Sequence, residues 1–141
     1  MLHIFKKPIV LLKLEGLAVT LLALVLYWQQ SFGWTLFWST VLLPDLALFG
    51  YFINAKVGAT TYNITHSKLL PAVLAVVSIV TGNALFLALA LIWFVHIGVD
   101  RLLGYGLKYP EGFKVTHLGT IGEMAGDPRG SDLGRYLPCG K

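Results

Sequence analysis

His96 and Asp100 stand near the end of the last long apolar stretch, in Trp93-Phe-Val-His96-Ile-Gly-Val-Asp100-Arg101. Four residues apart, they share one face of a helix. An imidazole beside a carboxylate can hold a metal ion or relay a proton. Ionisable groups are costly in lipid and normally face a protein interior or a wet cavity. The pair therefore anchors a polar site that other segments must complete. The candidates are Glu15 in Leu14-Glu15-Gly16, Asp45 after Pro44, His66 in Thr65-His66-Ser67, and His117 in Thr116-His117-Leu-Gly119. Nitrogen and carboxylate oxygen donors suit zinc first, then manganese or iron. A bound dication would also offset the repulsion among acids gathered in one place. Asp45, His66, His96, Asp100 and His117 are the expected ligands, and Glu15 the expected general acid or base. Tyr62 and Asn63 share the face of His66 and are expected to donate hydrogen bonds around it.

Each residue also has a plainer use. Glu15 suits an ion pair with Lys13 or Arg101. Asp45 is a favoured helix cap. His66 suits a membrane interface near a helix start. His96 and Asp100 suit a structural hydrogen bond, and His117 a solvated loop. His3 carries no expected role. Ser67 adjoins His66, and adjacent helical residues point apart, so no Ser–His nucleophile is expected. Gly104-Tyr-Gly106 is not followed by Gly-Lys-Ser/Thr, so no phosphate loop is expected.

The elements that must position these groups are membrane helices. Of 141 residues, 56% are hydrophobic and 13% charged. Soluble domains carry about 25% charged residues. Mean hydropathy is +0.71. The net charge of +4 comes from scattered basic residues, which excludes a nucleic-acid patch. Cys139 is the sole cysteine, which excludes an intrachain disulfide and a cysteine metal cluster. Lys13 and Glu15 interrupt the first apolar run, and no small-x-small cleavage site follows it, so it reads as a retained helix. Four apolar segments have spanning length, at about 8–28, 34–52, 62–80 and 84–103. The expectation is an all-α integral membrane bundle of four transmembrane helices over residues 1–103. Residues 104–141 read as a Gly/Pro-rich cytoplasmic tail rather than a second domain.

Lysine and arginine placement orients the bundle. Lys6, Lys7 and Lys13 lie before or in the first turns of helix one, Lys56 and Lys68 lie around the second connection, and Arg101, Lys108 and Lys114 lie at or beyond the end of helix four. The other two connections have none. Both termini are expected in the cytoplasm, with the chain in the cell inner membrane. Glu15, Asp45, His66, His96 and Asp100 then all fall in the inner half of the bilayer.

The stretch His96-Ile-Gly-Val-Asp-Arg-Leu-Leu-Gly-Tyr-Gly-Leu-Lys-Tyr-Pro110, with Thr116-His-Leu-Gly119, resembles the signature of a family of small bacterial membrane proteins. That family is catalogued only as a domain of unknown function. Leu14-Glu-Gly16, Pro44-Asp45 and Tyr62-Asn63…His66 resemble it too. A fainter likeness joins Leu43-Pro-Asp45, Thr65-His-Ser67 and His96-x-x-x-Asp100. In order and type these are similar to the membrane-bound, metal-dependent hydrolases of bacterial inner membranes. That resemblance implies metal ligands at Asp45, His66, His96 and Asp100. The chain departs from it in lacking a histidine just before Thr65-His66 and in having a single Asp after Pro44.

Two functions fit. One is a metal-dependent hydrolase acting on a lipid or lipid-linked phosphate or ester at headgroup depth. The other is non-enzymatic: an accessory subunit of a larger complex, or a proton- or ion-handling bundle, using the same acids and histidines. Self-association through small residues of helices three and four suits a chain this small.

Overall fold

The structure is a computed structural model that describes residues 8–109 and the backbone at 115–116 and 119–120. Its elements are α1 (Pro8–Gln29), α2 (Trp34–Thr40), a 3-10 helix (Leu43–Phe52), α3 (Ala55–Thr65), α4 (Leu69–Thr81) and α5 (Ala84–Leu103). Val115–Thr116 (β1) pairs antiparallel with Gly119–Thr120 (β2). Four helical spans are long and apolar enough to cross a membrane: Pro8–Gln29, Trp34–Phe52, Ala55–Thr81 and Ala84–Leu103. The expected all-α membrane bundle is the fold observed.

Two spans are broken. The second is α-helical only to Thr40 and resumes at Leu43 as a 3-10 helix. Pro44 is the cause. It has no N–H, and its ring would clash with the carbonyl four residues back, at Thr40. The third span begins earlier than the apolar run, at Ala55, because Asn54 caps it by accepting from Val57 N at 2.8 Å. It then breaks at His66-Ser67-Lys68 and restarts at Leu69. Pro71 sits in the first turn of α4, where a missing N–H costs nothing. His66 is thus the residue that ends α3, not one in the first turns of a continuous helix three.

α5 is the central helix. Half of it is buried, against under a fifth of every other span. α1 lies along one side of it, α4 along another, and the 3-10 helix packs on α3. The backbones approach closely where Gly16 faces Gly98. A Cβ on Gly16 would lie 2.7 Å from Gly98 O, and one on Gly98 would strike Thr20 Oγ1. Small residues permit such approach between membrane helices. α5 ends at Gly104, whose φ of +96° closes the turn through Tyr105 N donating to Asp100 O at 2.8 Å. The chain then doubles back.

Candidate metal centre

The break after α3 leaves its last carbonyls without helical partners. In hydrocarbon such groups must be satisfied by protein. α5 supplies the donors. Trp93 Nε1 donates to Thr65 O at 2.7 Å, and Arg101 Nη2 to His66 O at 3.0 Å. Arg101 Nη1 also donates to Tyr105 O at 2.6 Å. Trp93, His96, Asp100 and Arg101 recur at helical spacing, so one face of α5 both mends the break and presents ionisable groups to it.

Four side chains from three spans converge there: Asp45, His66, His96 and Asp100, with one ligand atom each, all within 4.8 Å of one another. His66 Nε2 lies 3.2 Å from His96 Nε2, 3.3 Å from Asp45 Oδ1 and 3.4 Å from Asp100 Oδ2. His96 Nε2 lies 3.4 Å from Asp45 Oδ1 and 3.8 Å from Asp100 Oδ2. Ligands at about 2.0–2.2 Å around a tetrahedral ion stand about 3.3–3.6 Å from one another. These five separations lie near that edge length, and the sixth, between Asp45 and Asp100, is within 4.8 Å, so this His/Asp group could hold a metal ion.

The tautomer of His66 follows from its other nitrogen. Nδ1 lies 3.0 Å from Tyr62 O. A carbonyl only accepts, so a neutral ring that donates there holds its proton on Nδ1 and would turn the Nε2 lone pair toward the cluster. The Tyr62 ring stacks on the imidazole at 3.8 Å and 12°. Its hydroxyl donates to Asp100 Oδ2 at 3.3 Å. Tyr62 therefore orients two members of the cluster at once, as expected of it. Thr65 Oγ1 lies 2.9 Å from His66 Nδ1 and donates to Pro44 O at 3.4 Å, tying the second span to the third beside Asp45.

Asn63 does something else. Its side chain pairs both ways with the Lys108 backbone: Nδ2 donates to Lys108 O and Lys108 N donates to Oδ1, each at 2.7 Å. This holds the returning segment against α3. Lys108 is buried, with Nζ 4.6 Å from the centre of the Tyr62 ring. Burial pushes its ammonium down to about 8, and the charges of Asp100 and Asp45 oppose that shift.

Glu15 is not brought to the cluster. The buried face of α1 is Gly16, Thr20, Ala23 and Tyr27, and Glu15 lies off it, exposed. His117, expected as a further ligand, falls between β1 and β2, outside the described residues, as does His3. Trp93, Arg101 and Lys108 were not anticipated as parts of this site. The i, i+3, i+7, i+8 spacing of Trp93, His96, Asp100 and Arg101 was the available signal for the first two.

Fold and cluster together define a four-span membrane protein with a partly buried His/Asp group. The family described as Domain of unknown function (DUF4260) matches residues 9–121, and the chain belongs to it. No curated protein and no solved structure matches the chain.

Proposed function

We propose that this protein is a membrane-embedded, metal-dependent hydrolase. Asp45, His66, His96 and Asp100 hold one divalent ion, zinc before manganese or iron. The observation that carries the reading is the convergence of four donor atoms from three spans within 4.8 Å of one another, with His66 Nδ1 turned to Tyr62 O and Nε2 toward the cluster. A divalent ion there would polarise a phosphoryl or carbonyl oxygen and acidify a water. Tyr62 keeps Asp100 and His66 in position. Asp45 offers a second carboxylate oxygen to take a proton from water. The reaction adds that water across a phosphate or ester bond, its O–H to phosphorus or acyl carbon and its remaining proton to the leaving oxygen. The basic residues near the α1 and α5 ends support an orientation with both termini in the cytoplasm, which would put the centre in the inner half of the inner membrane. A lipid or lipid-linked phosphate or ester is the substrate class at that depth. Glu15, exposed on α1, has no part in this reading.

The test is metal content of detergent-purified protein beside His96→Ala, followed by release of phosphate or fatty acid from lipid vesicles. About one equivalent of ion, lost in the variant, with vesicle hydrolysis dependent on it, is expected. Metal-free protein after reconstitution contradicts the reading. That outcome favours the second one, a proton-handling bundle or accessory subunit. The supporting observation for it is that Tyr62, Asp100, His66, His96 and Asp45 form a continuous chain of titratable groups.

A further inference from the structure

The four members of the cluster differ sharply in exposure. The side chains of His66 and His96 are 0% and 6% exposed, Asp100 18%, and Asp45 40%. The side toward the end of α5 is closed. Tyr62 covers His66 and bonds Asp100, Arg101 is fixed on His66 O, and Lys108 lies over Tyr62; all three are buried. Asp45 faces the other way. It lines a hollow of about 470 Å³ with Leu42, Leu46, Leu48, Phe49 and Phe52. These residues belong to the second membrane span or directly precede its 3-10 helix. Leu42, Leu46, Phe49 and Phe52 are exposed, a lining suited to hydrocarbon.

Coordination chemistry makes that asymmetry matter. Four protein ligands close a tetrahedral ion, whereas a hydrolytic ion keeps one position for water or substrate. Asp45 is the member least confined by its surroundings. It is also carried on the 3-10 helix, whose ten residues exceed the usual short run of that geometry.

We propose that the centre opens sideways to lipid. Asp45 is the ligand that yields, and the hollow beside it takes the hydrocarbon chain of an amphiphile whose phosphate or ester head reaches the ion. The inference rests on the metal reading and names its substrate class as chain-bearing. A water-soluble phosphate or ester would have to cross the buried layer of Tyr62, Arg101 and Lys108.

The experiment uses zinc-loaded full-length protein in phosphatidylcholine vesicles, its metal content measured first. Loss of zinc is followed on adding membrane-permeant 1,10-phenanthroline or membrane-impermeant EDTA to both faces. Stripping by phenanthroline at least tenfold faster than by EDTA is expected. Leu46→Trp, which fills the hollow and replaces none of the four ligands, should slow phenanthroline tenfold and leave zinc content unchanged. Dioleoyl phosphatidic acid in the vesicles should protect the zinc, and glycerol phosphate at the same concentration should not. Equal stripping by the two chelators, no effect of Leu46→Trp, or protection by glycerol phosphate equal to that by phosphatidic acid overturns the inference. Protein that holds no zinc at the start fails the metal reading instead, so the two failures are distinguishable.

Discussion

The Nε2 atoms of His66 and His96 face each other across 3.2 Å inside a membrane bundle. His66 Nδ1 lies 3.0 Å from Tyr62 O, so a neutral ring donating there would turn its Nε2 lone pair into that gap. Two carboxylate oxygens stand within 3.8 Å of the same two nitrogens. So dense a set of acceptors needs a positive charge among them, either a metal ion or shared protons.

If the charge is a metal ion, the folded state binds it and the unfolded chain does not. Free ion at 100 times Kd then stabilises by about 2.7 kcal/mol. Chelation should lower the thermal unfolding midpoint of the wild type in detergent. Replacing His96 by Ala should lower the starting midpoint and remove the response to chelator. A wild-type midpoint indifferent to chelator and to added zinc counts against the ion.

Tyr62→Phe removes one hydroxyl from Asp100 and leaves the stacked ring in place. Loss of a group that orients a ligand costs about 10–100-fold in metal affinity. Zinc titration with a competing indicator should show a weakening in that range, with unchanged helical circular dichroism. An unaltered affinity would mean that Tyr62 plays no part in orienting Asp100.

Arg101→Met leaves His66 O and Tyr105 O without their donor. The buried His66 carbonyl so orphaned costs about 1–3 kcal/mol, whereas Tyr105 O belongs to an exposed residue and can turn to water. Unfolding in mixed detergent should show a loss in that range or above it, and Arg101→Lys should recover only part, since an ammonium lacks the guanidinium fork. Trp93→Phe should cost about 1–3 kcal/mol by the same argument at Thr65 O. Full stability of all three variants would show that the break after α3 is mended some other way.

What the sequence discloses here is depth, and what it hides is direction around each helix. Ionisable residues in apolar runs are conspicuous, so Asp45, His66, His96 and Asp100 could be picked out, and topology put them at one level. Glu15 sits at a similar level, but it lies one residue off the Gly16–Thr20–Ala23–Tyr27 face that meets α5. The near-featureless amphipathicity of α1 gives no hint of that. The breaks were also hidden. An apolar run looks the same whether its backbone continues or stops, and only Pro44 and Pro71 mark where it stops. The pairing of Asn63 with the Lys108 backbone joins residues 45 apart in sequence, beyond any periodicity.

Lys108 gives a pH signature. Its ammonium is pushed down to about 8, whereas an unfolded lysine titrates near 10.4. Between those values the unfolded chain binds more protons than the folded one, so this group's contribution makes stability rise with pH. Below pH 8 both states are charged and the full cost of burial is present. The difference in unfolding free energy between wild type and Lys108→Met should therefore shift in favour of wild type from about pH 8 to about pH 10.4. A difference independent of pH across that window would mean that the ammonium is not desolvated.

X-ray absorption at the zinc edge of the reconstituted protein addresses the centre itself. The account predicts a first shell of nitrogen and oxygen only, at about 2.0–2.2 Å, with the outer-shell scattering of two imidazoles. In His96→Ala one imidazole contribution should vanish or the zinc should be lost. A sulfur shell, a fully hydrated ion, or a wild-type spectrum retained by His96→Ala would contradict it.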